Sequence, residues 1–285
     1  MPELPEVETV RRGLEQQTAG LEIARAEVLR SRAIAAPSSA AAFCRSLQGA
    51  RLERWQRRGK YLLADLSRPS ASGQQPAGLL GVHLRMTGQF HWLERDLPPC
   101  SHTRVRFWDQ RGRELRFVDC RSFGQMWWVP AGQEASEVIS GLRRLGPEPF
   151  DPAFSPAHLQ ARLRGSKRPI KSALLDQALV AGVGNIYADE SLFLAGISPH
   201  TPASRLGPRQ LETLHRELVE VLQVSIGAGG TTFSDFRDLN GGNGNYGGVA
   251  WVYRRSGLPC RRCGTAISRD KLAGRSSHWC PTCQR

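Results

Sequence analysis

The spacing of apolar residues predicts a helix at the start of the chain. Leu4, Val7, Val10 and Leu14 recur at helical spacing. Residues with this period lie on one face of a helix, which the pattern predicts from residue 2 to about residue 17.

After residue 21 the pattern changes and predicts strands as far as about residue 129. Segments such as "RLERWQRRGKYLLADL", "TRVRFWD" and "ELRFVDCRSFGQMWWV" are short, rich in β-branched or aromatic residues, and broken by Gly or Asp. We expect about eight strands that form a β-sandwich or a flattened barrel. The stretch "SRPSASGQQPAG" at residues 67–78 is predicted to be a flexible surface loop.

The pattern becomes helical again in the second half of the chain. Helices are predicted at residues 156–164, 170–179, 186–195 and 208–226. The sequence "VAGVGN" predicts a tight turn between the second and the third of them. Eight glycines then fall between Gly227 and Gly248, and they predict a mobile loop.

Four of the seven cysteines form two pairs near the end of the chain. Cys260, Cys263, Cys280 and Cys283 have the spacing C-x2-C-x16-C-x2-C, which is typical of a zinc site built on two knuckles. Four thiolates fill the tetrahedral coordination of zinc, so we predict one structural Zn2+ ion rather than a catalytic one. The alternative is that two CxxC pairs occur by chance. The residues between the pairs are predicted to form a short β-hairpin.

The charge of the chain points to a polyanionic partner. The net charge is +13, and residues 249–285 carry eight basic residues and one acid. Such a basic hairpin suits a phosphate-binding finger and hence nucleic acid. The alternatives are a zinc-stabilised cap with a solvated basic face, or a basic protein that is merely soluble. No apolar run can span a bilayer and no secretory leader is visible, so we expect a cytoplasmic protein.

The first turn of the predicted helix carries a second candidate chemistry. Methionine is normally removed before a small residue, which would expose Pro2 as a secondary amine able to form a Schiff base. Glu3 and Glu6 share one face of the turn, so one could act as a general acid beside this amine. The alternative is structural, because Pro and Glu are common at helix starts.

Several motifs together resemble a known family. "PELPEVETVRRGL", "RRGKYLL", "HLRMTG", "DCRSFG", "LGPEP", "VAGVGNIYADESLF" and the cysteine pairs occur in this order. They resemble formamidopyrimidine-DNA glycosylase, the bacterial enzyme that removes oxidised purines. The resemblance implies an α+β multidomain fold. Its parts would be an N-terminal helix plus β-sandwich (1–131), a helix–two-turns–helix domain with the Gly-rich loop (132–248) and a zinc ribbon (249–285).

The resemblance also implies catalytic roles. Pro2 would attack C1′ of the damaged nucleotide, Glu3 would be the general acid of base excision, and Glu6 would support it. Lys60 matches the lysine assigned to proton donation during β-elimination. Arg275 matches the arginine assigned to δ-elimination, and it would also bind phosphate. The implied activities are base excision followed by β,δ-elimination at the abasic site.

Other matching positions imply contacts with double-stranded DNA. Asn185 would bind phosphate beside the lesion, and Lys167, Lys171 and His102 match further backbone-contacting positions. Enzymes that act on a base extrude it from the duplex.

Three side chains match those that fill the hole left by the extruded nucleotide. They are Met86, Arg121 and Phe123, and taken singly each could equally be core, solvated charge or strand filler. Ser122 stands where the family often has a second arginine, "RRF", and Cys120 stands where proline is common. These departures leave the DNA affinity and the preference for the opposite base open.

Two other interpretations remain. An endonuclease VIII-like glycosylase would prefer oxidised pyrimidines, but that branch typically begins "PEGPE", whereas Leu4 stands here. A non-catalytic DNA-binding or ribosome-associated zinc-ribbon protein would explain the charge and the cysteines without needing Pro2, Glu3 and Lys60. We expect a monomer, associated with the nucleoid.

Overall fold

The computed structural model describes residues 1–71, 73–231, 239, 242 and 244–285. They form two compact units. The first unit is Met1–Arg143 with Gly229–Gly244, and the second unit is Arg144–Ala228 with Asn245–Arg285. The α+β class predicted from the sequence is confirmed, whereas the division into three domains stays a prediction.

The first unit contains helices and two antiparallel-rich sheets. Its helices are α1 (Leu4–Thr18), α2 (Ala40–Leu47) and α3 (Ala135–Val138). Its strands are β1 (Arg25–Val28), β2 (Ile34–Ala36), β3 (Arg51–Arg58), β4 (Tyr61–Ser70), β5 (Gly73–His83), β6 (Gly88–Leu93), β7 (Thr103–Trp108), β8 (Glu114–Asp119) and β9 (Gln125–Val129). One sheet has the order β2-β9-β5-β4-β3 and the other β1-β7-β8-β6. The β2–β9 pair is parallel, and the other pairs among the described residues are antiparallel.

Helix α1 is held against the first sheet by its apolar face and by polar bonds. Val7, Val10 and Leu14 are buried in the core of this unit, as their spacing predicts. The Trp55 indole on β3 donates to Thr18 Oγ1 at 2.9 Å, while the Trp55 backbone N–H donates to Glu15 Oε2. These contacts hold α1 against β3, and so they place the N-terminal residues on this sheet.

Residues 67–78 differ from the prediction of a flexible loop. Strands β4 and β5 continue through them as a hairpin that pairs Ser70 with Gly73. The Arg68 guanidinium donates to the carbonyl of Ser46 in the last turn of helix α2. The hairpin therefore gains anchoring contacts that the composition of the stretch does not reveal.

The second unit is helical and ends in a hairpin. Its helices are α4 (Pro156–Leu163), α5 (Ile170–Leu174), α6 (Asn185–Leu194) and α7 (Pro208–Gly227), and its strands are β10 (Ser268–Leu272) and β11 (Arg275–Trp279). Short 3-10 helices occur at Ser31–Ala33, Ser140–Arg144, Ala203–Arg205 and Tyr246–Gly248 along the chain. The β-hairpin predicted between the cysteine pairs is present as β10 and β11.

Helix α5 ends at Leu174, earlier than the predicted residue 179. Asp176 Oδ1 accepts from the backbone of Ala178, and Gln177 Oε1 accepts from the backbone of Gly182. These side chains satisfy the backbone in a turn instead of a helix, because polar side chains compete with helical hydrogen bonds.

Two further predictions concern membrane-spanning segments and the Gly-rich loop. No helix among the described residues is both long and apolar enough to cross a membrane. The mobile loop predicted between residues 227 and 248 falls in part on residues 232–238, 240, 241 and 243, which lie outside the described residues.

Candidate functional site

The start of helix α1 brings two carboxylates together beside Pro2. Glu3 is the residue before the helix, and Glu6 lies in its first turn. Pro2 is buried, and Glu3 and Glu6 are only 3% and 2% exposed. The Glu3 backbone N–H donates to Glu6 Oε2 at 2.8 Å. The clustering predicted from the sequence spacing is therefore present.

Glu6 also binds a segment far along the chain. The backbone N–H of Thr231 donates to Glu6 Oε1 at 2.8 Å, so both carboxylate oxygens accept backbone hydrogen bonds. Gly230 has φ +80°, and a Cβ there would lie 3.1 Å from Glu6 Oε1. The close approach requires glycine, which is the one signal in the sequence that could have indicated this contact. This arrangement suits Glu6 to positioning rather than to proton donation.

Met1 joins the first turn to a cavity of about 380 Å³ in the first unit. The cavity is lined by Met1, Arg32, Arg85, Met86, Ser122, Phe123 and Gln125. With Met1 attached, the Pro2 nitrogen is an amide and cannot act as a nucleophile. Removal of Met1 would convert that nitrogen into an amine next to this cavity.

Lys60 lies in the turn between β3 and β4 and is 7% exposed. Burial, together with the positive charges of Arg85 and Lys60, lowers the pKa of His83 from 6.5 to about 3. His83 is therefore neutral near pH 7. Its Nδ1 accepts from the backbone N–H of Arg85 at 3.0 Å, which leaves the ring proton on Nε2. His83 was not among the residues predicted from the motif "HLRMTG", although its place at the buried end of a strand was the available signal.

Met86, Arg121 and Phe123 lie on turns of the first unit. Met86 is half-buried between β5 and β6, and Phe123 is 40% exposed between β8 and β9. The Arg121 guanidinium lies 4.9 Å from the centre of the Phe123 ring. Met86 and Phe123 line the same cavity, so the structure brings these two together with the N-terminal residue.

Asp119 shapes the turn that carries Arg121. This buried carboxylate accepts from the Thr87 hydroxyl and from the backbone N–H groups of Arg121 and Gly124. Thr87 lies in the turn between β5 and β6, and Asp119 is the last residue of β8, so these bonds link that turn to the turn that carries Arg121. The sequence analysis missed Asp119, although it stands at the start of the motif "DCRSFG".

His102 is exposed and lies beside the turn that Asp119 shapes. Its carbonyl accepts from the backbone N–H of Asp119 at 2.9 Å, and its Nδ1 lies 3.4 Å from Arg104 Nη2. The Arg104 Nε in turn donates to the Asp119 carbonyl at 2.8 Å. These bonds place the exposed His102 and the half-buried Arg104 next to the Arg121 turn.

In the second unit, Arg275 stands at the tip of the β10–β11 hairpin. Ala273 and Gly274 both have positive φ and form the two-residue turn before it. Arg275 is exposed. The next residue, Ser276, is fixed through its carbonyl, which accepts from Asn185 Nδ2 at 2.9 Å. Asn185, the first residue of α6, is thus engaged with the hairpin in this structure.

Lys171 occupies a different environment from the one that the resemblance implies. It is only 1% exposed, and its Nζ lies 2.7 Å from Asp189 Oδ1 and donates to the Ser276 carbonyl at 2.6 Å. Asp189 also accepts from the backbone N–H of His278. This burial argues against a direct phosphate contact by Lys171. Lys167, by contrast, is exposed.

The four paired cysteines form a metal site in the second unit. All four sulfur atoms lie within 4.8 Å of one another. The Cys263 and Cys280 sulfurs are 3.5 Å apart, and those of Cys260 and Cys283 are 4.0 Å apart. Tetrahedral zinc with bonds of about 2.3 Å places sulfurs about 3.8 Å apart. The donor set and its spacing fit one structural zinc ion, as predicted.

Family models match most of the chain. The formamidopyrimidine-DNA glycosylase N-terminal domain matches residues 1–126. The formamidopyrimidine-DNA glycosylase H2TH domain matches residues 145–237, and the zinc finger found in FPG and IleRS matches residues 257–285. The zinc-finger match agrees with the cysteine geometry.

Individual proteins match over the full length. A formamidopyrimidine-DNA glycosylase of Parasynechococcus marenigrum (strain WH8102) is 67% identical, with 100% of both chains covered. A solved complex between a Lactococcus lactis FPG mutant and a Fapy-dG containing DNA has a TM-score of 0.89 at 33% identity, again with 100% of both chains covered. The structure of MutM with carbocyclic 8-oxo-G containing DNA has a TM-score of 0.89 at 34% identity and the same coverage.

Proposed function

The chain belongs to the formamidopyrimidine-DNA glycosylase family, and we propose that it excises oxidised purines from double-stranded DNA and then cleaves the abasic strand. The substrates would be 8-oxoguanine and formamidopyrimidines. The observation that carries this proposal is the cavity that joins Met1 to Met86 and Phe123. The residue that must be removed to free Pro2 therefore lies beside two side chains suited to filling a gap in a DNA stack.

Base excision begins with Pro2 once Met1 has been removed. An α-amino group has a reference pKa of about 8, so a sizeable fraction of such amines is unprotonated at neutral pH. The Pro2 nitrogen bonds to C1′ while the glycosidic bond breaks, and the departing base takes a proton from Glu3. Opening of the sugar ring at O4′ then leaves an iminium cation. Glu6 keeps the first turn in place through its two backbone hydrogen bonds.

Strand cleavage follows from the iminium. This cation draws electrons from the sugar, so a proton leaves C2′ and the bond from C3′ to its phosphate oxygen breaks. Lys60 would supply a proton in this β-elimination. Arg275 would assist the second elimination, which releases the other phosphate, before water hydrolyses the iminium and frees Pro2. Both strand-cleavage steps are part of the proposal.

Basic, polar and apolar side chains of both units would contact the DNA. His102 and Lys167 would bind backbone phosphate, and Asn185 would do so by exchanging its bond to Ser276. Met86 and Phe123 would fill the gap left by the extruded nucleotide, and Arg121 would hydrogen-bond the base left unpaired. Lys171 is not among these contacts, because its amine is buried in an ion pair.

The zinc ion would hold the basic hairpin in shape. It fills a site of four cysteines, so it leaves no open position for chemistry. The ribbon carries Arg275 and much of the positive charge of the chain. A monomer, cytoplasmic and associated with the nucleoid, stays a prediction.

Borohydride trapping tests the proposal. Borohydride reduces a Schiff base to a stable amine, so we expect a covalent adduct with DNA that contains 8-oxoguanine opposite cytosine or an abasic site. A chain that retains Met1 should give no adduct, because the Pro2 nitrogen is then an amide. Pro5→Ala is the matched control, because it removes another proline of the same turn but leaves the nucleophile.

Two outcomes would redirect the assignment. Tight binding of damaged DNA without any adduct would favour a non-catalytic binding protein. Faster removal of oxidised thymine than of 8-oxoguanine would favour the endonuclease VIII-like branch.

A further inference from the structure

The cavity beside the N-terminus carries unneutralised positive charge. Two of its seven lining residues are exposed arginines, Arg32 and Arg85, and none is an acid. Within the ranges that the structure describes, neither guanidinium takes part in an ion pair. A cavity of this composition favours an anionic ligand.

Arg85 is held in an unfavourable backbone conformation at this cavity. Its φ is +54°, in the left-handed region that residues other than glycine rarely adopt. Ser122, which lines the same cavity, also has φ +54°. Such backbone strain is concentrated at functional sites.

Specific bonds orient the Arg85 side chain. Its backbone N–H donates to His83 Nδ1 at 3.0 Å, and its Nη2 donates to Gln125 Oε1 at 3.0 Å. His83 and Gln125 are paired across β5 and β9, so both bonds come from the rigid sheet. The guanidinium is therefore anchored at one end, and its other N–H donors are available for a planar anion.

We propose that Arg85 binds a phosphate of the DNA backbone at this cavity, with Arg32 as the second cation. The inference rests on the proposed function, since it takes DNA as the ligand. A guanidinium binds phosphate through paired hydrogen bonds and is the side chain best suited to this contact. Ser122 occupies the place where the related "RRF" motif has a second arginine, and Arg85 supplies a charge to the same cavity. The contact adds affinity without reading the base opposite the lesion.

Salt-dependent binding tests the contact. The probe is a duplex with a tetrahydrofuran abasic analogue opposite cytosine, which binds but cannot form an iminium. We expect Arg85→Gln and Arg85→Gly to weaken binding about tenfold at 0.1 M salt. The slope of log K against log salt should become shallower by about 0.9. Arg85→Gly should not lower the thermal midpoint, because glycine accepts φ +54° readily.

The matched control is Arg111→Gln. Arg111 is an exposed arginine in the turn between β7 and β8, at the opposite end of β8 from Arg121. The Arg111→Gln substitution should leave both the DNA affinity and the salt slope unchanged.

Three results would overturn the inference. The salt slope could be unchanged in both Arg85 variants, or Arg111→Gln could lose as much DNA affinity as they do. The affinity lost in the Arg85 variants could also depend on whether cytosine or adenine stands opposite the lesion. The last result would make Arg85 a base-reading residue. Failure of the proposed function looks different, because the unsubstituted chain would then give no borohydride adduct with abasic DNA. An intact adduct with an unchanged slope rejects the Arg85 contact alone.

Discussion

The Glu6 carboxylate joins the first helical turn to Thr231, a residue 225 positions away. Both of its oxygens accept backbone N–H groups, one from Glu3 and one from Thr231. The sequence spacing predicted that Glu3 and Glu6 lie together, because residues at i and i+3 share a helix face. It could not predict the bond to Thr231, since local periodicity contains no information on such distant contacts.

Glu6→Gln tests whether this carboxylate positions the first turn. An amide nitrogen cannot accept, so one buried N–H loses its partner, and we expect a stability loss of about 1–3 kcal/mol. The single-turnover rate of base excision should fall about tenfold or more, because Glu3 and Pro2 lose their support. Denaturant unfolding and a quenched-flow excision assay measure the two effects.

Glu15→Gln provides the comparison for Glu6→Gln. Glu15 lies on the same helix and accepts from the backbone of Trp55, away from the first turn. The amide oxygen of the substituted side chain can still accept this single bond, so neither the stability nor the excision rate should change appreciably. If Glu6→Gln also leaves the rate unchanged, Glu6 is only a helix-capping residue.

At the scale of elements, local patterns predicted the helices and strands better than their ends and contacts. Helix α1 and the cysteine hairpin followed from spacing alone, because their signals lie within short segments. The α5 terminus was misjudged because the Asp176 and Gln177 side chains close a turn. The hairpin at residues 67–78 was missed because its anchors belong to other segments.

The burial of Lys171 is also a matter of how elements pack, because it depends on how β11 lies against α6. Lys171, Asp189 and the Ser276 carbonyl form one buried cluster next to Arg275. Its members are far apart in the sequence, so motif resemblance alone suggested a DNA contact for Lys171. The geometry suggests instead that the cluster holds the hairpin that carries Arg275.

Lys171→Met tests this role. Leaving Asp189 as an uncompensated buried charge should cost about 3–5 kcal/mol, and Lys171→Met combined with Asp189→Leu should recover part of that loss. We also expect less δ-elimination relative to β-elimination on abasic DNA, because Arg275 loses its support. Urea unfolding and gel analysis of the cleaved strand provide the two measurements.

Arg168→Gln is the control for the buried pair. Arg168 and Asp176 form an exposed ion pair, which typically contributes no more than about 1 kcal/mol. A Lys171→Met chain of normal stability whose salt slope is shallower would instead restore Lys171 as a phosphate contact.

At the scale of the whole molecule, one segment of the chain carries both a concentration of positive charge and the metal site. Residues 249–285 carry eight basic residues and one acid, and they include all four zinc-site cysteines. The sulfurs of Cys260 and Cys280 pack with Phe193, Val252 and Ile267 in a small cluster of the second unit. A cluster of this size cannot hold the hairpin without the metal, because structural zinc supplies most of the folding free energy of such ribbons.

Removal of zinc should therefore separate DNA binding from the fold of the first unit. We expect a chelator to unfold the β10–β11 hairpin and to lower DNA affinity at least about tenfold, because several phosphate contacts are lost together. The amides of β3, β4 and β5 should stay protected from hydrogen exchange, since the core of the first unit is built around side chains such as Trp55 and Phe90. Hydrogen exchange read by mass spectrometry, with a binding titration on the same sample, measures both. Adding zinc back is the control and should restore affinity, whereas full affinity in metal-free protein would show that the ribbon does not bind phosphate.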